Sequence, residues 1–288
     1  MNRGIRLAQL GLLANGVLAL VKLVAGILGN SYALIADAVE SIADLFSSLI
    51  VWGGLRVASR DADDRYPFGY GKAEALAAMV VGLMLLAAAI GIAVQAVLEI
   101  LNPNRTPAPF TLVVLVMVVA VKSLLYRVVN RTARASGSPA VAADAWHHLA
   151  DAMSSTAAFI GISIAVLGGP AWKTADAWAA LFASGLILVN GLGIMRPSVG
   201  ELMDRSPSDE MLRAVDAAAH GVDGVLATEK LKARKSGTRF LLEVHVQAEP
   251  SMSLHEAHVL SGKVKRAIRS AVPSVQDVLV HMEPFEGA

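Results

Sequence analysis

Up to about Arg205 the chain is a succession of six apolar runs separated by short polar breaks. They lie at about Ile5 to Leu28, Tyr32 to Val57, Ala73 to Leu101, Phe110 to Val129, Val141 to Leu167 and Ala175 to Met203. A helix needs roughly 20 apolar residues to cross a bilayer. Within lipid every backbone N–H and C=O must be satisfied internally, so runs of this length are expected as transmembrane helices. The breaks fit that reading. Gly29-Asn30-Ser31 forms a tight turn, while Asn102-Pro103-Asn104 and Gly168-Gly169-Pro170 end helices that proline cannot continue. The first run follows Arg3 and Arg6 as a signal peptide would, but it is too long for a typical signal and a second span follows at once, so it is expected to be retained.

Composition supports lipid as the main solvent. The chain is 55% hydrophobic and 17% charged, against about 25% charged for a soluble domain. A net charge of +1 gives no electrostatic basis for nucleic-acid binding, and no nucleic-acid partner is expected. Without cysteine, disulfides, thiol catalysis and cysteine metal sites are excluded, so any metal must be held by histidine and carboxylates.

After Pro207 the sequence becomes mixed and charged, which sets an expected boundary between a transmembrane domain, residues 1–206, and a tail, residues 207–288. The tail reads helix (Asp209 to His220), strand (Val225 to Ala233), strand (Phe240 to Val246), helix (opened by a capping pattern at Ser253 and Glu256) and strand (Val278 to Met282). That is an α+β unit of three strands against two helices. Lysine and arginine set the orientation. With the N-terminus inside, Arg3, Arg6, Arg56, Arg60, Arg65, Lys72, Arg127, Arg131, Arg134, Arg196 and Arg205 lie inside and only Arg105 and Lys173 outside. Both termini and the tail are therefore expected in the cytoplasm, with the chain multi-pass in the cell (inner) membrane.

The second and fifth runs echo each other. Ala36-Asp37-Ala38-Val39-Glu40-Ser41-Ile42-Ala43-Asp44, then Ser47-Ser48, matches Ala143-Asp144-Ala145-Trp146-His147-His148-Leu149-Ala150-Asp151, then Ser154-Ser155, at a constant offset of 107 residues. The copies are displaced by three spans, an odd number, so they cross the membrane in opposite directions, an arrangement common in secondary transporters.

Each intramembrane charge costs about 2.5–3.5 kcal/mol on insertion scales, and neither of these two helices carries a lysine or arginine near its acidic residues. The carboxylates are therefore expected to need a visiting cation or protons, which a divalent metal exchanging with protons would supply. Glu40 and Asp44, and likewise His147 and Asp151, are four residues apart, so each pair shares one helix face. Together they offer three carboxylates and one imidazole, a set that suits zinc and also iron(II), manganese(II) or cobalt(II). Histidine is the side chain whose ordinary charge change falls near neutral pH, so His147 is read as the group that links metal release to proton uptake. Asp37 and Asp144, one turn away, are read as lining the cavity or supporting the ligands, and His148 as a packing residue.

At these residues the sequence resembles the cation diffusion facilitator family of divalent metal/proton antiporters. The resemblance covers nearly the whole chain. It implies six transmembrane helices, a cytoplasmic ferredoxin-like metal-binding domain, a homodimer, and a transport site at Glu40, Asp44, His147 and Asp151. The family's first ligand is often His or Asp, and Glu40 keeps the charge. The loop from Asp63 to Glu74 is similar to the family's segment after helix two. Members with a second metal site there carry His where this chain has Tyr66 and Tyr70, so with only Asp63 remaining that site is expected to be lost. Lys72 and Asp204 match the positions of a charge interlock that in the family holds the dimer near the membrane surface. The family's cytoplasmic regulatory site falls on Glu229, His245, His258, His281 and Glu283.

The sequence therefore reads as an exporter of a divalent transition metal, zinc favoured, driven by protons, and not as an enzyme. An intramembrane metalloenzyme would call for a motif such as His-Glu-x-x-His, which is absent. The remaining alternative is a non-transporting membrane metal sensor or scaffold whose cytoplasmic domain does the work.

Overall fold

The structure is a computed structural model. It describes the backbone of residues 2–103, 106–136 and 139–286, and the side chains of residues 13–103, 106–132, 134 and 145–286. The side chains of Arg3, Arg6 and Asp144, and the whole of Arg105, which enter the expectations above, lie outside what is described.

Six long helices come first: α1 (Asn2–Leu28), α2 (Tyr32–Ala58), α3 (Lys72–Leu101), α4 (Phe110–Ser136), α5 (Pro139–Leu167) and α6 (Ala175–Leu202). Among the described residues, four of them, α3 to α6, are long and apolar enough to cross a membrane by length and composition. The described part of α1 holds a shorter apolar stretch, Leu13–Leu28, and α2 carries Asp37, Glu40 and Asp44 within its length. Leu13, Val17, Leu20, Val24 and Ile27 recur at helical spacing on α1 and are all exposed. A water-soluble fold would bury such a stripe, whereas lipid solvates it.

The chain packs as two compact units, one of residues 1–50 with 80–195 and the other of residues 51–79 with 196–288. The division is not linear, since α2, α3 and α6 each contribute to both. In the first unit the core is rich in small residues: Ala25, Ala33, Ala36, Ala96, Ala158 and Ala180 surround Leu34, Leu115 and Ile162. Small side chains let helix backbones approach where no hydrophobic effect drives them together. Gly161 sits so close to Ala179 that a Cβ would overlap it.

The start of α2 is fully satisfied. Ser31 caps it, its Oγ accepting from Leu34 N at 3.1 Å, and its carbonyl accepts from Ile35 N. The two remaining N–H groups, of Tyr32 and Ala33, donate to the buried carboxylate of Asp176 on α6 at 2.6 and 3.3 Å, and Ser31 Oγ donates to it at 2.7 Å. Asp176→Ala is expected to lower stability by about 1–3 kcal/mol, because it leaves buried donors unpartnered. Thermal unfolding in lipid nanodiscs reads this directly, and a variant that melts with the wild type would remove the cap from the account.

In the second unit, α7 (Asp209–His220), β1 (Ala227–Ser236), β2 (Arg239–Ala248), α8 (Leu254–Ala271) and β3 (Val275–Pro284) form an α+β ferredoxin-like domain. The element order is the one the sequence predicts, and the three strands run longer than their apolar cores suggest. Strand order is β1-β2-β3, with β1 antiparallel and β3 parallel to the central β2. On β2 the alternate residues Leu242, Val244 and Val246 pack against Val215, Ala219, Leu260, Val264 and Ile268 of the helices, which turns the intervening residues to the opposite face. The capping box of α8 forms as expected, Ser253 Oγ accepting from Glu256 N and the Glu256 carboxylate accepting from Ser253 N.

Within the same unit, Glu201 near the end of α6 accepts from Lys235 Nζ at 2.9 Å and from Gly237 N at 2.7 Å. Gly237 takes φ +63 in the β1–β2 turn, a conformation that favours glycine. A Cβ on Gly71 would collide with the backbone of Ser236. These contacts were not legible in the sequence, where Glu201 is one acidic residue among several.

Candidate metal centre

Helices α2 and α5 meet antiparallel, and the cross-contacts descend in register. Asp37 Oδ2 accepts from Ser155 Oγ at 2.8 Å, and Glu40 Oε2 accepts from Ser154 Oγ at 2.9 Å. Asp44 Oδ2 lies 3.9 Å from His147 Nε2. The echoed segments therefore face one another. His147 Nε2 also lies 3.7 Å from Asp151 Oδ2 on its own helix, as four-residue spacing allows.

Asp44, His147 and Asp151 each offer a ligand atom, all within 4.8 Å of one another. Ligands of a tetrahedral zinc sit about 3.3 Å apart, given bond lengths of about 2.0–2.1 Å. The His147–Asp44 and His147–Asp151 distances of 3.9 and 3.7 Å stand within about half an ångström of that spacing, while the trio as a whole lies within 4.8 Å and closes further around an ion. Asp151 is nearly buried while Asp44 and His147 are partly open. Asp44 also lines a cleft of about 220 Å³, together with Glu40, Ser47, Leu85, Ile187 and Asn190. Glu40, expected as a fourth ligand, is in the cleft wall and is not part of the close trio. Asn190 of α6 lines the same cleft; nothing in the sequence singled it out.

One expectation needs correction. The acidic residues are not without fixed cations, because two lysines reach them from other helices. Lys22 of α1 bridges Asp37 Oδ2 at 2.7 Å and donates to Ser41 Oγ at 3.0 Å. Lys122 of α4 bridges Asp151 Oδ2 and donates to Asn15 Oδ1 at 2.7 Å. Both ammonium groups are buried. Both lysines lie on helices other than the two that carry the donors. A lone lysine inside an apolar run was the available signal, since buried charge in lipid is costly and therefore placed for a reason. Asn15 and Lys122 stand 107 residues apart, the offset of the echo, so equivalent places in the two copies touch. The symmetry is incomplete elsewhere: Ser47 and Ser48 donate to carbonyls of their own helix, and only Ser154 and Ser155 cross to the other.

A second donor cluster sits on the free face of the tail sheet. The register places Glu229 beside His245 and His245 beside His281, one residue per strand. The rings of His245 and His281 are 4.7 Å apart. His245 Nδ1 donates to Glu283 Oε1 at 2.7 Å, and His281 Nε2 lies 3.6 Å from the same oxygen. His245, His281 and Glu283 thus offer three ligand atoms within 4.8 Å. The hydrogen bond from His245 is the main influence that holds the Glu283 carboxyl below its usual pKa. Glu229 is paired with Lys230 at 2.6 Å, where β1 bulges and Lys230 takes φ 50. His258 is exposed on α8 and is not in the cluster.

Comparison with known proteins accounts for both halves of the chain. Residues 8–203 match the cation efflux transmembrane domain family, and residues 207–285 match the cation efflux protein cytoplasmic domain family. The chain belongs to the cation diffusion facilitator family. Curated relatives are similar over almost its full length. The manganese efflux system protein MneP of Bacillus subtilis is 29% identical, with 97% of this chain and 96% of the relative covered. Metal tolerance protein 2 of Oryza sativa is 32% identical over 96% of this chain and 77% of its own. The cation-efflux pump FieF of Escherichia fergusonii is 30% identical over 93% and 88%.

The loop after α2 in this cation diffusion facilitator commits its acidic residue to protein partners. Asp63 Oδ2 accepts from Tyr70 Oη at 2.7 Å, and Oδ1 accepts from Tyr66 N and Arg65 N at 2.8 and 2.9 Å. The Tyr70 bond, with the backbone donors behind it, holds the Asp63 carboxyl below its ordinary pKa and raises that of the Tyr70 phenol.

Lys72 and Asp204 do meet, at 2.8 Å, and Arg234 approaches the same carboxylate at 3.4 Å. The hydrogen bond from Lys72 leads in holding the Asp204 carboxyl below its ordinary pKa. A depressed folded pKa contributes stability that is present above the unfolded value and is lost as pH falls through the folded one. Asp204→Asn also tolerates the φ of 54 at this position. It is expected to cost at most about 1 kcal/mol at neutral pH, because the pair is exposed, and nothing once acid has protonated Asp204. Melting curves across that range would show the gap closing, and a gap independent of pH would refute the charge origin.

Proposed function

We propose that this cation diffusion facilitator exports a divalent transition metal from the cytoplasm in exchange for protons, using Asp44, His147 and Asp151 as its metal site. The observation that carries the reading is the close approach of those three donors from two antiparallel helices inside an apolar bundle. Three protein donors leave an open coordination position, which suits an ion that must enter and leave. Glu40 in the cleft wall adds negative charge on the approach. Formal charge supports the valence. Among the described residues, Asp37, Glu40, Asp44 and Asp151 are offset by Lys22 and Lys122, leaving an excess of two negative charges, the charge of one divalent cation.

Protons arriving from outside replace the metal on His147 and the carboxylates. Their inward movement gains about 2.3 kcal/mol per charge per 100 mV. Both termini face the cytoplasm of a cell (inner) membrane protein, as the distribution of lysine and arginine indicates. The chain works as a homodimer, and metal on His245, His281 and Glu283 of the tail tightens that dimer.

Zinc is the first candidate, since one imidazole with carboxylates suits it. Manganese is the second, favoured by the name of the Bacillus subtilis relative. Flux in proteoliposomes decides, with zinc, manganese, iron(II) and cobalt(II) in competition and a pH dye inside. The expected result is saturable metal entry with opposed proton movement. Metal binding to an intact site with no flux of either ion would favour the sensor or scaffold.

A further inference from the structure

We propose that Lys122 is a tethered cation that fills the metal's place at Asp151 and gives way when the metal arrives. The proposal rests on Asp44, His147 and Asp151 being the transport site. The Asp151 oxygen that faces His147 Nε2 at 3.7 Å is Oδ2, and Oδ2 is also the atom bridged by Lys122 Nζ. A metal seated between His147 and Asp151 and the Lys122 ammonium therefore compete for one oxygen.

The ammonium has somewhere to go. Its second partner, Asn15 Oδ1 at 2.7 Å, belongs to α1 and lies outside the donor trio. Lysine carries three donors on a flexible stem, so it can release Asp151 and keep Asn15 without losing its proton. The other intramembrane lysine shows the contrast. Lys22 is bound to Asp37 and Ser41, and Ser155 closes on the same Asp37 oxygen. Asp37 is not in the metal trio, so Lys22 is a fixed pin. Lys122 is paired with a ligand.

This arrangement has a use in a carrier. An empty site with an unpaired Asp151 would hold a divalent ion tightly and release it slowly. With an ammonium waiting beside it, metal binding becomes an exchange of one cation for another, and affinity falls to a level that allows release. When the metal leaves, Lys122 returns to Asp151 and keeps its charge covered while the carrier resets.

The test is a calorimetric zinc titration of the full-length protein in lipid nanodiscs. Asp44→Ala sets the baseline, because the heat it removes belongs to the intramembrane site; if it removes none, the site assignment itself fails, whatever Lys122 does. Against that baseline, Lys122→Gln is expected to tighten zinc binding on the order of tenfold, as removal of a nearby positive charge and competitor requires. Asn15→Leu is expected to weaken zinc binding, because the ammonium loses its alternative partner. It should have no effect in the Lys122→Gln background, the signature of coupling through the lysine. In flux, Lys122→Gln lowers KM and turnover together. Zinc binding that is unchanged or weaker in Lys122→Gln would overturn the proposal, as would an Asn15→Leu effect equal in both backgrounds. Should Lys122→Gln fail to fold, Asn15→Leu alone decides, since it leaves the ion pair in place and an unchanged zinc affinity would refute the exchange.

Discussion

Asp44→Ala is expected to abolish saturable metal flux, lowering it at least about a hundredfold, while Glu40→Ala lowers it by about tenfold. The ordering follows from position. Asp44 belongs to the trio with His147 and Asp151, and its loss leaves two donors, of which Asp151 is already shared with Lys122. Loss of a ligand exceeds the roughly 10–100-fold cost of losing a group that only supports ligands. Glu40 is held by Ser154 in the cleft wall, where it acts through charge. His147→Ala should match Asp44→Ala, and Ser154→Ala should fall with or below Glu40→Ala. Zinc titration and proteoliposome flux measured on the same preparations separate binding from movement. Equal losses in Glu40→Ala and Asp44→Ala would make Glu40 a full ligand and refute the three-donor reading.

That ordering could not have come from the sequence, which treats Glu40 and Asp44 alike as one face of one helix. Helical spacing says which side chains share a face. It does not say how far apart two facing helices hold them, or which serine intervenes. The same limit explains the lysines. Lys22 is 15 residues from Asp37 and Lys122 is 29 from Asp151, each the one lysine in an apolar run that keeps its character despite it. Asp176 is a similar case, 144 residues from the Tyr32 N–H it accepts. What the sequence does carry is what depends on local pattern. The six long helices follow from apolar length broken at Gly, Pro and Asn. In the tail, alternation along β2 and the Ser253/Glu256 pattern at α8 place the elements, and the strands extend beyond their apolar centres because backbone pairing continues out to Arg239 and Ala248 on β2.

Lys22→Met is expected to be the most destabilising single change in the bundle, at about 3–5 kcal/mol, the cost of leaving one member of a buried ion pair uncompensated. Lys22 and Asp37 are both sealed from solvent, and in lipid no water can replace the lost ammonium. Asp37 would keep only the Ser155 hydroxyl. The unfolded chain in a membrane also finds polar partners, which places the effect toward the lower end of that range. The distinguishing measurement is a double-mutant cycle with Asp37→Leu, followed by thermal unfolding in nanodiscs. If the charge pair is the cause, Lys22→Met and Asp37→Leu are each severe alone and the double variant recovers most of the loss, because an apolar pair of similar volume carries no desolvation cost. If the two losses simply add, the residues act through separate packing contacts and the ion pair is not what holds α1 to α2. Metal binding gives an independent check, since Asp37 lies outside the donor trio: a double variant that folds should still bind zinc, whereas changes at Lys122 should move zinc affinity even where stability is unchanged.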